Sequence, residues 1–293
     1  MILHVKDWLI RHPLAFYVVA PFSFRKRLFQ MAWIGLNARL LALGIGNFSE
    51  SLAARNRRVF VRTVDGILVA YDFTRRDGGL HPMYIYDYVY EAAELEVIRT
   101  HLKPESTFID IGANIGMHSI RANLGNIPDC SVLAIEADEA TFRTLEANVR
   151  ENSSGEQIQT RRAVLWSSIA TIQWHGDQLE HGHNHASAAR TETSHVLTSE
   201  TLDTMLARMD NRKKISVIKI DVEGAEIEVL KGGERTLRTE KPALVIEIDD
   251  KLLARNGGSG LELRDYLRSL GYQSEAPIIN ANSRKAINSL FLP

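Results

Sequence analysis

The sequence predicts an α/β protein whose main domain is a doubly wound, mostly parallel sheet. From Thr107 onward, short apolar runs alternate with helix-spaced segments. A Gly-Ala-Asn-Ile-Gly turn follows the first run, and an acidic residue, Glu136, ends the second. Strand, glycine turn, helix, strand with a terminal acid is the order in which an open α/β sheet forms a binding edge beyond the carboxyl ends of its strands.

The elements can be taken in chain order. Residues 1–57 are expected to form a helical extension. LAFYVVAPFSF (14–24) follows Lys6 and Arg11 as a signal peptide's core would, but Pro13 and Pro21 bracket it and RKR comes next. It is too short to span a bilayer, and no convincing small-residue cleavage site follows. LFQMAWIGLNARLLALGIG (28–46) carries its large side chains at helical spacing around Gln30, Asn37 and Arg39. It is expected to be an amphipathic helix packing on a domain or a partner subunit, with docking on a membrane surface as the minor alternative. Residues 58–85 contain VFVRTVDGILVAYDF, two alternating runs around a Val-Asp-Gly turn, which predicts a β-hairpin.

The main domain is placed at residues 86–293. YDYVYEAAELEVIRTHL has helical spacing and is limited by Pro104. Next come TFIDI, a helix over 115–124, SVLAIE, a helix over 139–151, IQTRRAVL, ISVIKID, a helix over 225–231, and ALVIEI. A helix near 261–269, a turn at Gly271-Tyr272 and the apolar run INSLFLP close the chain. There is no internal repeat; the biased segment is the His-rich stretch 175–195.

Composition narrows the function. The 293 residues are 45% apolar and 24% charged, and 35 basic against 36 acidic residues give a net charge of -1. That balance lacks the basic footprint of a nucleic-acid binder and suits a small or neutral substrate. A single cysteine, Cys130, excludes an internal disulfide framework and a cysteine-based zinc site, which fits a reducing compartment such as the cytoplasm. Cys130 has no basic or His neighbour in sequence to activate it and is read as structural.

The turn after TFIDI discriminates among ligands. No Gly-Lys-Ser or Gly-Lys-Thr follows it, so it is not a nucleoside triphosphate loop. Asp110 stands where a dinucleotide fingerprint places its first glycine. A carboxylate there repels a pyrophosphate, which disfavours a nicotinamide cofactor, and attracts an ammonium or a sulfonium. S-adenosylmethionine carries both. Gly112 and Gly116 allow a sharp turn and close backbone approach. Glu136 follows Gly112 at near the roughly 20-residue spacing of a ribose-binding acid. Asp138 reads better as a helix cap than as a ligand.

FIDIGANIGMHS, AIEADEATFRTLEANV, SETLDTML and KIDVEGAEIEVLKGG together resemble the FkbM-type family of S-adenosylmethionine-dependent methyltransferases over roughly residues 86–293. The resemblance implies a class I methyltransferase (Rossmann-like) fold, a three-layer α/β/α sandwich whose seven-stranded, mostly parallel sheet ends in an antiparallel hairpin. It also implies methyl transfer to a hydroxyl of a sugar, glycan or secondary metabolite. By position, Asp110, Gly112, Asn114 and Gly116 would hold the methionine part and Glu136 the ribose, while Ala163 and Val164, within Arg162–Leu165, would border the adenine. Where family members often carry an acid just after that segment, this chain reads LWSS. Trp166 either stacks on the ligand or packs, and packing is the expectation.

A hydroxyl acceptor must lose a proton, so a base is sought at the carboxyl edge of the sheet. Asp221, ending ISVIKID, is the first candidate; ordering of its turn through backbone hydrogen bonds is the rival role. Glu223 suits either role. Lys219, two residues before Asp221 on the same strand face, is expected to neutralise the acidic edge. Glu247 is expected to make a structural hydrogen bond, with substrate contact as the alternative, and His118 to pack or cap. His181, His183 and His185 alternate; a solvated loop, substrate contact or base duty, with His183 as the candidate base, and metal binding all stay open. A catalytically weak methyltransferase-fold subunit acting as a membrane-associated or scaffolding protein through its extension is the alternative function, and homo-oligomerisation is left open.

Overall fold

The computed structural model describes residues 59–63, 66–71, 89, 91–125, 127–152, 157–175, 185–187, 195–280 and 288–293. The expected extension over 1–57 and the candidate His183 lie outside the described residues. The described residues divide into two compact units, one before Glu91 and one from Glu91 onward.

In the first unit, strands β1 (Val59–Arg62) and β2 (Leu68–Tyr71) pair antiparallel, Val59 opposite Tyr71 and Arg62 opposite Leu68. The turn is fixed by Thr63, whose hydroxyl accepts from the Ile67 N–H at 3.0 Å while its carbonyl accepts from Gly66 at 3.0 Å.

The second unit begins with α1 (Ala92–His101) and the strand β3 (Ser106–Ile111), every residue of which is buried. Then come α2 (Met117–Asn123), β4 (Ser131–Glu136), α3 (Glu139–Asn152) and β5 (Ile158–Arg162). After a small-sheet insertion the chain continues through α4 (Leu202–Ala207), β10 (Lys214–Ile220), α5 (Glu226–Gly232), α6 (Glu234–Glu240) and β11 (Ala243–Glu247). It ends with α7 (Asp250–Leu253), α8 (Gly260–Ser269), β12 (Ser274–Ile278) and β13 (Asn288–Leu292). The seven strands lie in the order β12-β13-β11-β10-β3-β4-β5. Those from β11 to β5 are parallel, and β12 and β13 form an antiparallel hairpin at the edge, as the family resemblance implies.

The central strands are near-continuous apolar runs because helices cover parallel strands on both faces. Ile109, Ile111, Leu133, Ile218, Ile220, Leu244 and Ile246 are almost inaccessible and share one core. Caps follow the expected chemistry: Asp138 Oδ1 accepts from the Thr141 N–H at 2.8 Å, confirming Asp138 as a cap, and Thr201 and Ser259 cap α4 and α8.

IQTRRAVL differs from its expectation as one strand. After β5 the Ala163 N–H turns to the carbonyl of Glu136, and Val164–Leu165 (β6) leave the main sheet to pair with β9 (His195–Glu200). β7 (Thr171–His175) and β8 (His185–Ser187) complete this four-stranded sheet, which is absent from the elements the sequence predicts. Both ends of the His-rich stretch are therefore strands. His175 pairs opposite His185, and its Nε2 lies 2.8 Å from Ser187 Oγ. Trp166 packs with Val164, Ile172, Ala186 and Ala225 in a second core. Cys130 is buried, and burial pushes its thiol up, consistent with a structural role.

Candidate active site

The site is built on two strand-to-helix turns that touch. At the end of β3 the chain reverses through Gly112 (φ +76), Asn114 (φ +51) and Gly116 (φ +88). The N–H groups of Gly112 and Ala113 both donate to the carbonyl of Ile135, and that of Asp221 donates to Ile111. A Cβ on Gly112 would lie 1.7 Å from the Asp221 carbonyl oxygen, so only glycine permits the two turns to meet. From the other side, α3 presses Leu145 against Gly116, and the buried Asn148 amide donates to the Ile115 carbonyl at 2.8 Å.

Within this turn Asp110 is 1% exposed. Its Oδ2 accepts from the Ser119 hydroxyl at 2.6 Å, and its Oδ1 is buried with no hydrogen-bond donor. Such an orphaned carboxylate oxygen is costly unless a cationic or donor group meets it. Glu136, half-buried at the end of β4, accepts from the Asn114 N–H at 3.0 Å on one oxygen and from the Asp138 N–H at 2.9 Å on the other. Burial nevertheless outweighs these bonds and pushes its carboxyl up to about 7.

The second turn, Asp221-Val222-Glu223-Gly224-Ala225, is held by Glu226 at the start of α5. Glu226 Oε1 accepts from the N–H groups of Val222 and Gly224, each at 3.1 Å. Gly224 sits at φ +109, where a Cβ would meet the Leu252 carbonyl oxygen at 2.2 Å. Lys219, 3% exposed and opposite Asp110 in the β10–β3 register, donates to Asp221 Oδ2 at 2.7 Å. Burial opposes its charge, but the carboxylates of Asp221, Asp110 and Glu91 outweigh that and hold the ammonium well above the usual lysine range. The expected neutralising pair is present.

Around this pair the carboxyls are crowded. Burial, then the nearby Asp221, pushes Glu223 up to about 7, although Arg255 lies 3.8 Å from its Oε2. Burial likewise raises Glu226 to about 7. Glu247 rises to about 9 through burial and the charges of Asp221, Glu223 and Glu226. The buried Glu247 Oε2 meets no hydrogen-bond donor, so the expected structural hydrogen bond is not seen at this atom.

A third group comes from α1 and α2. Glu91, Glu94 and His118 bring one donor atom each to within 4.8 Å of one another, and burial pushes Glu91 up to about 7. His118 thus joins an acidic pair in addition to packing.

The structure therefore places Asp110, Gly112, Asn114, Gly116 and Glu136 in one hydrogen-bonded unit, with Asp221 and Glu223 on the adjoining turn. Ala163 touches that unit through its N–H bond to Glu136, while the Val164 side chain packs into the second core. The sequence marks Glu91, Glu94 and Glu226 only as parts of helices. Glu91 is the N-cap of α1 and Glu94 lies in its first turn, but the Lys219 and His118 they approach are remote in sequence.

Residues 110–274 match the family model described as the Methyltransferase FkbM domain, more than half of the chain. The chain belongs to this family. It is a methyltransferase, and the matched segment begins at Asp110 itself. Among relatives, it is 29% identical over 178 residues to Methyltransferase 1 of Beauveria bassiana, covering 50% of this chain and 70% of that one. It is 27% identical over 176 residues to 31-O-demethyl-FK506 methyltransferase FkbM of Streptomyces tacrolimicus, covering 51% of this chain and 67% of that one. A solved FkbM methyltransferase from Methylobacillus flagellatus KT aligns over 73% of this chain at 19% identity and a TM-score of 0.46, and the alignment spans 52% of that longer protein. Among the described residues no helix is long and apolar enough to cross a membrane.

Proposed function

We propose that this FkbM-family methyltransferase uses S-adenosylmethionine to methylate a hydroxyl of a small molecule or glycan. The observation that carries the cofactor is the buried, donor-less Oδ1 of Asp110, next to a turn whose Asn114 N–H holds Glu136 in place. Asp110 offers negative charge to an ammonium. Glu136 has used one acceptor site on each oxygen, which leaves lone pairs for the two hydroxyls of a ribose. When bound, S-adenosylmethionine supplies an electrophilic methyl group. Transfer to oxygen agrees with the name of the Streptomyces relative, which designates a 31-O position on its own acceptor.

The chain's own residues then have separable roles. Asp221, tied to the buried Lys219, forms a fixed anionic wall that orients the acceptor. Glu223, raised to about 7, is matched to general-base duty at neutral pH. His183 remains a second candidate base. Calorimetry with S-adenosylmethionine and its demethylated product, followed by transfer of labelled methyl to an extract, tests the proposal. Saturable binding and a product heavier by one methyl group are expected. Absence of binding at millimolar ligand would remove the cofactor assignment.

A further inference from the structure

We propose that Glu91, Glu94 and His118 form a site for a divalent first-row cation of the Mn2+ or Zn2+ type. His118 Nε2 lies 3.5 Å from Glu91 Oε2 and 3.7 Å from Glu94 Oε2. Donors bonded to one ion at ~2.1 Å stand roughly 3.0–3.4 Å apart at octahedral to tetrahedral angles, so the two His118 separations need close by only a few tenths of an ångström, and all three donor atoms already lie within 4.8 Å of one another. Two carboxylate oxygens and one imidazole nitrogen are a donor set suited to such a cation.

The cluster does not rest on acidity alone. Glu94 is 1% exposed, and its Oε2, the oxygen turned toward His118, accepts no hydrogen bond. Its other oxygen is held by the side-chain amides of Asn280, at 3.1 Å, and Asn288. A ligand carboxylate oriented by amides on its second oxygen is the arrangement that outer-shell hydrogen bonds produce at metal centres. The Glu91 side chain, 21% exposed, gives an approach from solvent. Three protein donors on one side leave further coordination positions for water or an acceptor oxygen, and α1 packs against β10 and β11, whose carboxyl ends carry Asp221 and Glu247.

The site goes beyond the methyl-transfer reading, and its test needs no turnover. Full-length protein stripped with a chelator is titrated with Mn2+, uptake is read from loss of the free-ion electron paramagnetic resonance signal, and Zn2+ is used as competitor. About one equivalent should bind saturably. Glu91→Gln, at a partly exposed position that should fold normally, and Glu94→Gln should each weaken uptake at least ~10-fold. Glu146→Gln, an exposed carboxylate on α3, should leave uptake unchanged. Three outcomes overturn the site: no saturable uptake at millimolar Mn2+ or Zn2+; unchanged uptake in a folded Glu91→Gln protein; or uptake abolished by replacing His181 and His183, which would assign the ion to the His-rich segment.

Discussion

The turns 110–116 and 221–226 each end a buried parallel strand, each contain glycine at positive φ, and each lead into a seven-residue helix. They differ in what their acids do. Around the first turn, Glu136 is fixed by two backbone N–H groups and Asp110 by Ser119, which leaves one buried acceptor facing no donor. Around the second, Glu223, Glu226 and Glu247 crowd about Asp221, and their carboxyls are pushed up to between about 7 and about 9. The first turn has fixed geometry suited to binding. The second gathers three raised carboxyls around one ion pair, an arrangement suited to proton transfer, whereas the first has only Glu136, raised to about 7.

The contact between the turns is the most sensitive point of the comparison. Gly112→Ala and Gly224→Ala each place a Cβ within 2.2 Å of a backbone oxygen at a positive φ, so loss of more than ~4 kcal/mol or failure to fold is expected in urea unfolding. Gly66→Ala in the hairpin has the same handedness but nothing within 4 Å, and should cost only about 1 kcal/mol. Equal losses at Gly66 and Gly112 would mean that backbone handedness alone, and not the contact, requires the glycine.

Next in size is the division of labour. Glu223→Gln should leave cofactor affinity unchanged and lower kcat by ~10²–10³-fold, with loss of the activity rise through about pH 7. Asp110→Asn should do the reverse, weakening cofactor binding by roughly 10–100-fold, the effect of losing one charge-assisted hydrogen bond. If Glu223→Gln weakened binding as much as Asp110→Asn, the two turns would not be functionally distinct.

How much of this was legible in the sequence follows from the range of the interactions. Asp110, the turn glycines and Glu136 could be read because strand, turn and helix are local, and the ribose acid recurs at a regular spacing. Asp138 and the Lys219–Asp221 pair were likewise within reach of i+3 and i+2 rules. The second sheet was not, because Val164 and Leu165 find their partners in Ser199 and Glu200, more than 30 residues on, and a short alternating run such as TIQWH does not say which strand it will pair with. The Glu91–Glu94–His118 group was hidden for a related reason: an acidic pair at the start of a helix looks solvated until the fold sets a buried histidine against it.

The smallest effect separates the turns by pH. Glu247 rises from an ordinary carboxyl value to about 9 on folding, so the native state holds its proton more tightly than the unfolded chain does. Its contribution to stability is complete below about 4.5 and is lost as pH climbs toward 9, so the ligand-free protein should melt at lower temperature at pH 8 than at pH 5. Glu247→Gln mimics the protonated form. It should stay close to the parent at pH 5 and exceed it at pH 8, read from paired thermal melts. Glu136→Gln makes the contrast. Glu136 is raised as well, to about 7, but its two oxygens accept the Asn114 and Asp138 N–H groups, and an amide nitrogen cannot replace one of them. That variant should therefore be less stable than the parent at both pH values. A Glu247→Gln protein destabilised equally at pH 5 and pH 8 would show that Glu247, too, serves as a structural acceptor.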